Sequence, residues 1–427
     1  MLEEKYMLRA IELAKKGAGW TNPNPLVGAV IVKDGRIIGE GWHHICGQLH
    51  AERDALKNVS EDPAGATIYV TLEPCCHHGK QPPCTAALIE AGIANVVIGS
   101  RDPNPKVAGG GVKALRDAGV NVIMDYMRDE CDAINEVFFH FITTQTPFVT
   151  MKYAMTADGH IATETGKSKW ISGELSRSEV HKMRHNHMAI MAGIGTVLAD
   201  DPLLNCRAEV RGYEDEDVMV NGKNPIRIIL DDHLRIPVDS QLVQTANNQP
   251  LIVATLPESE NKESTNGFSD DDTTLKEKNI GDKCNKEKLL IEKGVQVLHI
   301  SQDENTGCVD LNILMRELGK LQIDSILLEG GGMANASAIR SNIVSEIDVF
   351  MAPKMFGGGK SPLASLGIDE PSQTPKLYIK ECRQVGDDLL IRYGVGNDED
   401  VSDYEDVQSD KMSVQNNIGG AQCLQES

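Results

Sequence analysis

A chain of 427 residues, 41% of them hydrophobic, is long enough for two or three domains with substantial cores. Its 63 Asp and Glu against 42 Lys and Arg leave a formal charge of −21, which argues against electrostatic wrapping of nucleic acid. Ten cysteines in so long a chain do not read as a disulfide framework, and no apolar run approaches a membrane span, so a reducing, cytoplasmic setting is expected.

Tyr6 to Ala14 carries an amphipathic helix pattern, and the preceding Glu3 and Glu4 argue against a signal or transit peptide. Val27 to Val32 and Ile37 to Gly39, joined by Lys33-Asp34-Gly35, read as a hairpin. Helices are expected over His50–Lys57, Pro83–Ala91 and Gly110–Ala118, and strands over Ala66–Leu72, Asn95–Gly99 and Val120–Met124. This alternation predicts an α/β domain over 1–145, with a mostly parallel sheet covered on both faces. A second α/β domain is expected over 146–396, with strands beginning near Phe148, His187, Ile226, Leu251, Val295, Ser325 and Glu346. Residues 257–288, rich in Glu, Ser, Asn, Asp and Lys, read as a solvated, disordered insertion, and 397–427 as an acidic, disordered tail.

Three short stretches carry the clearest chemistry: His50-Ala51-Glu52, Pro74-Cys75 and Pro83-Cys84. One His and two Cys make three zinc ligands and leave the fourth tetrahedral position for water. Glu52, two residues from the His, fits the proton carrier of a zinc deaminase. Cys84 falls in the first turn of its predicted helix, where the positive helix end favours a thiolate. A closed structural zinc knot would need a fourth ligand, for which Cys76 and His77 are candidates, but Glu52 would have no task in one. Eight residues separate Cys75 from Cys84, whereas base-editing deaminases have two. The long run contains His77, His78 and Lys80, and Lys80 is a natural phosphate partner in so acidic a protein. Asn22-Pro23-Asn24-Pro25 is a stiff polar loop able to read a pyrimidine edge, although Asn-Pro is also common in simple turns.

In the second half, Gly193-Ile194-Gly195-Thr196 and Glu329-Gly330-Gly331-Gly332 each follow a strand and open a helix, an arrangement suited to phosphate. Neither is a Gly-x-Gly-x-x-Gly fingerprint, so a Rossmann domain is not supported.

The zinc stretches, with Thr71-Leu72-Glu73-Pro74-Cys75-Cys76-His77-His78-Gly79-Lys80 and Asn22-Pro23-Asn24-Pro25-Leu26-Val27-Gly28, resemble the deaminase half of the bifunctional riboflavin-biosynthesis deaminase–reductase family. Lys152 to Gly159, Ser168-Lys169-Trp170-Ile171, Gly195 to Pro202 and Leu328 to Gly331 resemble its reductase half. The resemblance implies a cytidine-deaminase-like three-layer domain followed by a dihydrofolate-reductase-like domain. It implies zinc-dependent deamination of 2,5-diamino-6-(5-phosphoribosylamino)pyrimidin-4-one, then reduction of the ribosyl chain to ribityl with NADPH. By that similarity His50, Cys75 and Cys84 hold Zn2+, Glu52 is catalytic, and Asn24, His43, His77 and Lys80 meet the substrate. NADPH would contact Ala154, Trp170, Thr196, Asp200, Gly331, Gly332, Met333, Ala334, Asn335, Ala336 and Ser337. Lys152, Ser168, Arg184, Leu204, Arg207 and Glu329 would contact the reductase substrate, with Arg184 and Arg207 as bidentate phosphate clamps.

The expected partner is a small phosphorylated pyrimidine, with neither nucleic acid nor membrane, and a homo-oligomer is compatible with this reading. Asp232 departs from the family's small hydroxyl residue, which puts a cofactor contact there in doubt. The alternatives are a deaminase whose second domain is inactive or redirected, a nucleic-acid-editing deaminase, and a regulatory protein that uses its acidic tail.

Overall fold

The computed structural model describes residues 2–77, 82–104, 108–213, 218–257 and 284–396. His78, Lys80, residues 258–283 and the 397–427 tail lie outside the described residues.

The first sheet has the order β2-β1-β3-β4-β5, with β1 Gly28–Lys33, β2 Arg36–Trp42, β3 Thr67–Leu72, β4 Asn95–Ser100 and β5 Asn121–Ile123. It is mixed rather than mostly parallel: β1 runs antiparallel to β2 and β3, and only β3, β4 and β5 are mutually parallel. The tight turn at Asp34-Gly35, both with positive φ, reverses the chain and forces β2 and β1 into a hairpin.

Side chains alternate across this sheet. Ile31, Ile68, Val70, Val96 and Ile98 face α2 Ala51–Lys57, α3 Cys84–Glu90 and α4 Gly110–Asp117. Val30, Val32, Tyr69 and Val97 face α1 Glu4–Lys15 and α5 Arg128–Ala133. A further helix, α6 Glu136–Thr144, leads to the second domain.

The packing of α1 is tight at Gly28, where an added Cβ would lie 1.9 Å from the Ala10 carbonyl oxygen. Gly28→Ala is therefore expected to cost about 1–3 kcal/mol, read as a lower urea midpoint with an unchanged slope.

The second sheet has nine strands in the order β12-β11-β10-β7-β13-β6-β14-β16-β15. β6 Phe148–Thr156, β7 Ala189–Gly193, β10 Ile226–Leu230, β11 Leu251–Thr255, β12 Val295–His299, β13 Ser325–Leu328 and β14 Glu346–Ala352 are parallel. Two antiparallel strands unforeseen in the sequence, β15 Lys376–Val385 and β16 Asp388–Gly396, extend it beyond β14. Their one exposed face breaks up any continuous apolar run. A small arm, β8 Glu209–Arg211 with β9 Met219–Asn221, projects from this domain. Residues 284–288, read from composition as part of the insertion, open a helix over 284–292 that buries Leu290. Among the described residues, no helix is long and apolar enough to cross a membrane.

Candidate active sites

Each zinc-ligand candidate sits at the end of an element. His50 is the N-cap of α2, Cys84 is the first residue of α3, and Cys75 lies in the turn after β3. The β3 turn is held by Glu73, which accepts hydrogen bonds from the backbone N–H groups of Gly109, Gly111 and Val112 at the start of α4. Gly111 must lack a side chain, because a Cβ there would lie 2.1 Å from the Pro74 carbonyl oxygen.

The result is a compact donor set. His50 Nδ1 lies 3.6 Å from Cys75 Sγ and 3.4 Å from Cys84 Sγ, and all three donor atoms fall within 4.8 Å of one another. Tetrahedral zinc, with bonds of about 2.3 Å to sulfur and 2.0–2.1 Å to nitrogen, places S and N about 3.6 Å apart. The chemistry also fits a cation. Hydrogen bonding to Cys84 and His50 pulls the Cys75 thiol down to about 4, whereas the same Cys75 contact and burial push Cys84 up. Two sulfurs this close cannot both be thiolates unless a positive ion lies between them. Among the described residues the cluster stops at three: Cys76 and His77 are not in it, and the Cys76 sulfur faces Gly110.

Glu52 lies in the first turn of α2, is 3% exposed, and lines the same cavity as His50 and Cys75. Burial, then the Cys75 charge, raises its carboxyl above the usual range.

The cavity, about 330 Å³, is also lined by Asn24, His43 and His77. His43 Nδ1 donates to the Leu49 carbonyl oxygen at 2.9 Å, which leaves Nε2 to accept from the Asn24 amide at 3.1 Å. Burial lowers the His43 imidazole to about 4 and keeps it neutral. The neighbouring His44 turns away, to Asp54 and the Tyr213 carbonyl oxygen. Sequence reasoning missed Asp102, Asn104 and Phe138 in this wall. Burial raises Asp102 to about 6, and its Oδ1 accepts from the Asn104 N–H at 2.8 Å. A signal was present: Asp102-Pro103-Asn104-Pro105 repeats the pattern of Asn22-Pro23-Asn24-Pro25.

The second site lies at the C-terminal ends of β6, β13 and β7. Glu329, just beyond β13, receives a bidentate fork from Arg184 on α7 Glu174–Asn186, at 2.6 and 3.0 Å. Lys152 of β6 approaches the same carboxylate at 3.8 Å. Burial alone would raise Glu329, but the charges of Arg184 and Lys152 outweigh it and bring the carboxyl down to about 2. Burial lowers Lys152.

Arg184 is thus committed to Glu329 and to the Asn205 carbonyl oxygen, at 2.9 Å, rather than held open as a phosphate clamp. Arg207 is exposed, with its guanidinium 3.1 Å from His181. The Leu204 side chain is buried in the core, so only its backbone is placed to meet a ligand.

Thr196 and Asp200 lie on α8 Ile194–Asp200, and Gly331 is the N-cap of α9 Gly332–Arg340. Space is open where a Cβ would stand at Gly195 and Gly331, and the first N–H groups of α9 have no partner within the helix. Glycines without neighbours at a helix start are a cradle that fits a dinucleotide phosphate. Met333 is 71% exposed and Trp170 65% exposed, while Ala334 lies under Gly193. Asn335 and Ala336 are fully buried, Asn335 donating to the Pro362 carbonyl oxygen, so these two shape the helix from beneath. Ser337 and Ala154 are half-buried, and Ser168 is exposed in the loop before Trp170. Asp232 Oδ1 accepts from the Val309 N–H at 2.8 Å, a contact inside the protein.

Comparison with known proteins bears on both halves. The model of the cytidine and deoxycytidylate deaminase zinc-binding region matches residues 1–100, and that of the RibD C-terminal domain matches residues 147–391. The chain is 48% identical over 397 residues to riboflavin biosynthesis protein RibD of Actinobacillus pleuropneumoniae, covering 92% of this chain and 96% of that one. It is 36% identical over 394 residues to the Escherichia coli RibD, covering 92% and 99%. A crystal structure from Thermotoga maritima, a diaminohydroxyphosphoribosylaminopyrimidine deaminase/5-amino-6-(5-phosphoribosylamino)uracil reductase, superposes with a TM-score of 0.74 at 37% identity, covering 92% and 98%. With a three-donor metal cluster in one domain, an Arg–Glu–Lys cluster in the other and matches along nearly its whole length, the chain belongs to the RibD family of riboflavin biosynthesis proteins.

Proposed function

We propose that the chain catalyses two consecutive steps of riboflavin biosynthesis on one small phosphorylated pyrimidine. The first is hydrolytic deamination of 2,5-diamino-6-(5-phosphoribosylamino)pyrimidin-4-one. The second is NADPH-dependent reduction of the product to 5-amino-6-(5-phosphoribitylamino)uracil. The observation that carries the reading is the cluster of His50, Cys75 and Cys84 with Glu52 buried beside it, on the same chain as the Arg184–Glu329–Lys152 site.

In the first site His50, Cys75 and Cys84 hold the zinc, which when bound makes water a nucleophile near neutral pH. Glu52 carries protons from the attacking water to the ring nitrogen and to the departing amine. Its raised proton affinity suits a group that must both take and give a proton. Asn24, held by His43, and His77 orient the pyrimidine. Lys80, by its place between the ligands, meets the phosphate.

In the second site the nicotinamide of NADPH, when bound, supplies a hydride to the sugar C1. The Gly331 helix start and the exposed faces of Trp170 and Met333 hold the cofactor, with Thr196 and Asp200 across from them. Lys152, whose burial loosens its hold on its proton, is the proton source this cluster offers. Glu329 fixes the place of Arg184, and Arg207 is the fork left for the substrate phosphate.

Stripping zinc with a chelator is expected to stop ammonia release. NADPH oxidation at 340 nm, started with the deaminated intermediate, is expected to continue unchanged. Loss of both activities would show that the metal supports the whole fold instead. Absence of NADPH oxidation in the untreated protein would favour a deaminase with a redirected second domain.

A further inference from the structure

The first cavity owes part of its wall to the other domain. The segment between α1 and β1, residues 16–27, is a run of tight turns, with Trp20 and Thr21 donating their N–H groups to the Gly17 carbonyl oxygen and Asn24 to that of Thr21, so it is locally shaped but its placement against the rest of the protein depends on anchors outside it. On the side of its own domain Asn135 clamps Leu26, accepting from its N–H at 2.8 Å and donating to its carbonyl oxygen at 2.9 Å. Its own domain also supplies the Cys46 N–H to the Trp20 carbonyl oxygen at 3.4 Å and the His43 N–H to that of Val27 at 2.9 Å. The remaining anchors come from the second domain. His185 accepts from the Lys223 N–H through Nδ1 at 2.9 Å, with its ring against the first-domain backbone. Its ring presses so close to Gly19 that a Cβ there would lie 2.4 Å from Nε2. Trp20 packs edge-on against His185 and tilted against Tyr213, and its Nε1 donates to the Arg211 carbonyl oxygen at 3.2 Å. Asn22 Nδ2 donates to Asp324 Oδ2 at 2.8 Å.

Asp324 is the acid of this set and is 2% exposed, and burial raises its carboxyl against the opposing pull of the Ser325 hydroxyl and the Asn22 amide. A carboxylate that deep must have donors. It has the Asn22 amide and the Ser325 hydroxyl, at 2.5 Å, with the Lys223 charge nearby. It takes no part in the reductase cluster. Asp324 and Glu329 flank opposite ends of β13, five residues apart and roughly 16 Å at the rise of a parallel strand. Two residues after Asn22 comes Asn24, whose amide is bonded to His43 in the cavity wall.

We propose that Asp324, in the second domain, is a positioning residue for the deamination carried out in the first. By holding Asn22 it fixes the loop that presents Asn24 to the pyrimidine. The proposal rests on the deaminase reading given above. The hydrogen bond to the buried Asp324 side chain restrains the loop, and an Asn24 that is no longer held in place binds the pyrimidine less well, so the loss falls on KM.

The test uses the full-length, zinc-loaded protein. Ammonia release is followed against diaminopyrimidine phosphate concentration, and NADPH oxidation with the deaminated intermediate serves as the internal control. Asp324→Ala and Asn22→Ala are each expected to raise the deaminase KM about tenfold and to leave its kcat within about threefold. Reductase constants and zinc content are expected to stay within about twofold of the parent protein. Because one bond is removed by either change, the double variant should be no worse than the single ones. Asp324→Asn keeps an acceptor for Asn22 and is expected to restore the KM.

An unchanged deaminase KM in Asn22→Ala would overturn the proposal. So would additive single effects, or a fall in both activities together, which would mark Asp324 as a seam-stabilising residue only. If Asp324→Ala does not fold, Asn22→Ala and Asp324→Asn still decide the matter. Failure of the parent protein to release ammonia would overturn the deaminase reading itself, and the proposal with it.

Discussion

Glu52→Gln is expected to abolish ammonia release, by about a thousandfold or more, while zinc stays bound. The amide has the shape of the carboxyl, so the 3% exposed position in the first turn of α2 keeps its packing. The three donors His50, Cys75 and Cys84 are untouched, and metal analysis should find one zinc per chain in parent and variant alike. What the amide cannot do is accept the proton of the attacking water and hand it on. NADPH oxidation with the deaminated intermediate should be unaffected, because Glu52 lies in the other domain from the Arg184–Glu329 pair. Ammonia release that survived the change would remove Glu52 from the mechanism and direct attention to Asp102, a second buried carboxyl in the cavity wall that, unlike Glu73, is not tied to the start of α4.

Glu329→Ala is expected to abolish reduction and to destabilise the second domain by about 3–5 kcal/mol, because it leaves Arg184 and Lys152 buried without their anion. Glu329→Gln should retain some packing but still lose most of the activity, since a neutral amide cannot hold the guanidinium fork. Thermal unfolding followed alongside NADPH oxidation measures both effects. The pH dependence has a definite sign. The Glu329 carboxyl is lowered from 4.5 to about 2, so its contribution to stability is full above about pH 4.5 and is lost as pH falls toward 2. The variant should lack that part of the acid sensitivity. An unaltered rate of NADPH oxidation in Glu329→Ala would sink the assignment of this cluster as the reductase site.

The zinc site was legible in the sequence because its parts are local. A helix N-cap, a strand end and a helix start each place one donor, and residue spacing alone reveals Glu52 beside the His. The reductase cluster was legible only through family resemblance, since Arg184 and Glu329 lie 145 positions apart and neither stands in a motif with its own chemical logic. The sequence did not show that the fork of Arg184, expected as a phosphate clamp, pairs with Glu329, nor that the Leu204 side chain lies in the core. The antiparallel β1–β2 hairpin was legible at Lys33-Asp34-Gly35, but the antiparallel pairing of β1 with β3 was not, because a strand's apolar face looks the same whichever way its neighbour runs. Polar composition hid residues 284–288, where Lys and Glu occupy the exposed side of a helix that buries Leu290. The Asn22–Asp324 bond spans 302 positions, and nothing in either flanking sequence announces the other.

The seam built on Gly19, Trp20 and Asn22 bears on how far the two activities can be separated. Severing the chain after residue 145 would leave His185, Tyr213 and Asp324 facing water where an aromatic ring and an amide now cover them. The severed first half would present the bare Trp20 ring and a loop without its tether to Asp324. Supplying the halves as independent gene products is thus a poor way to change the ratio of the two rates in an engineered vitamin-producing strain. Graded substitutions at one site or the other preserve the joint, and with it the one-to-one stoichiometry that a single polypeptide guarantees.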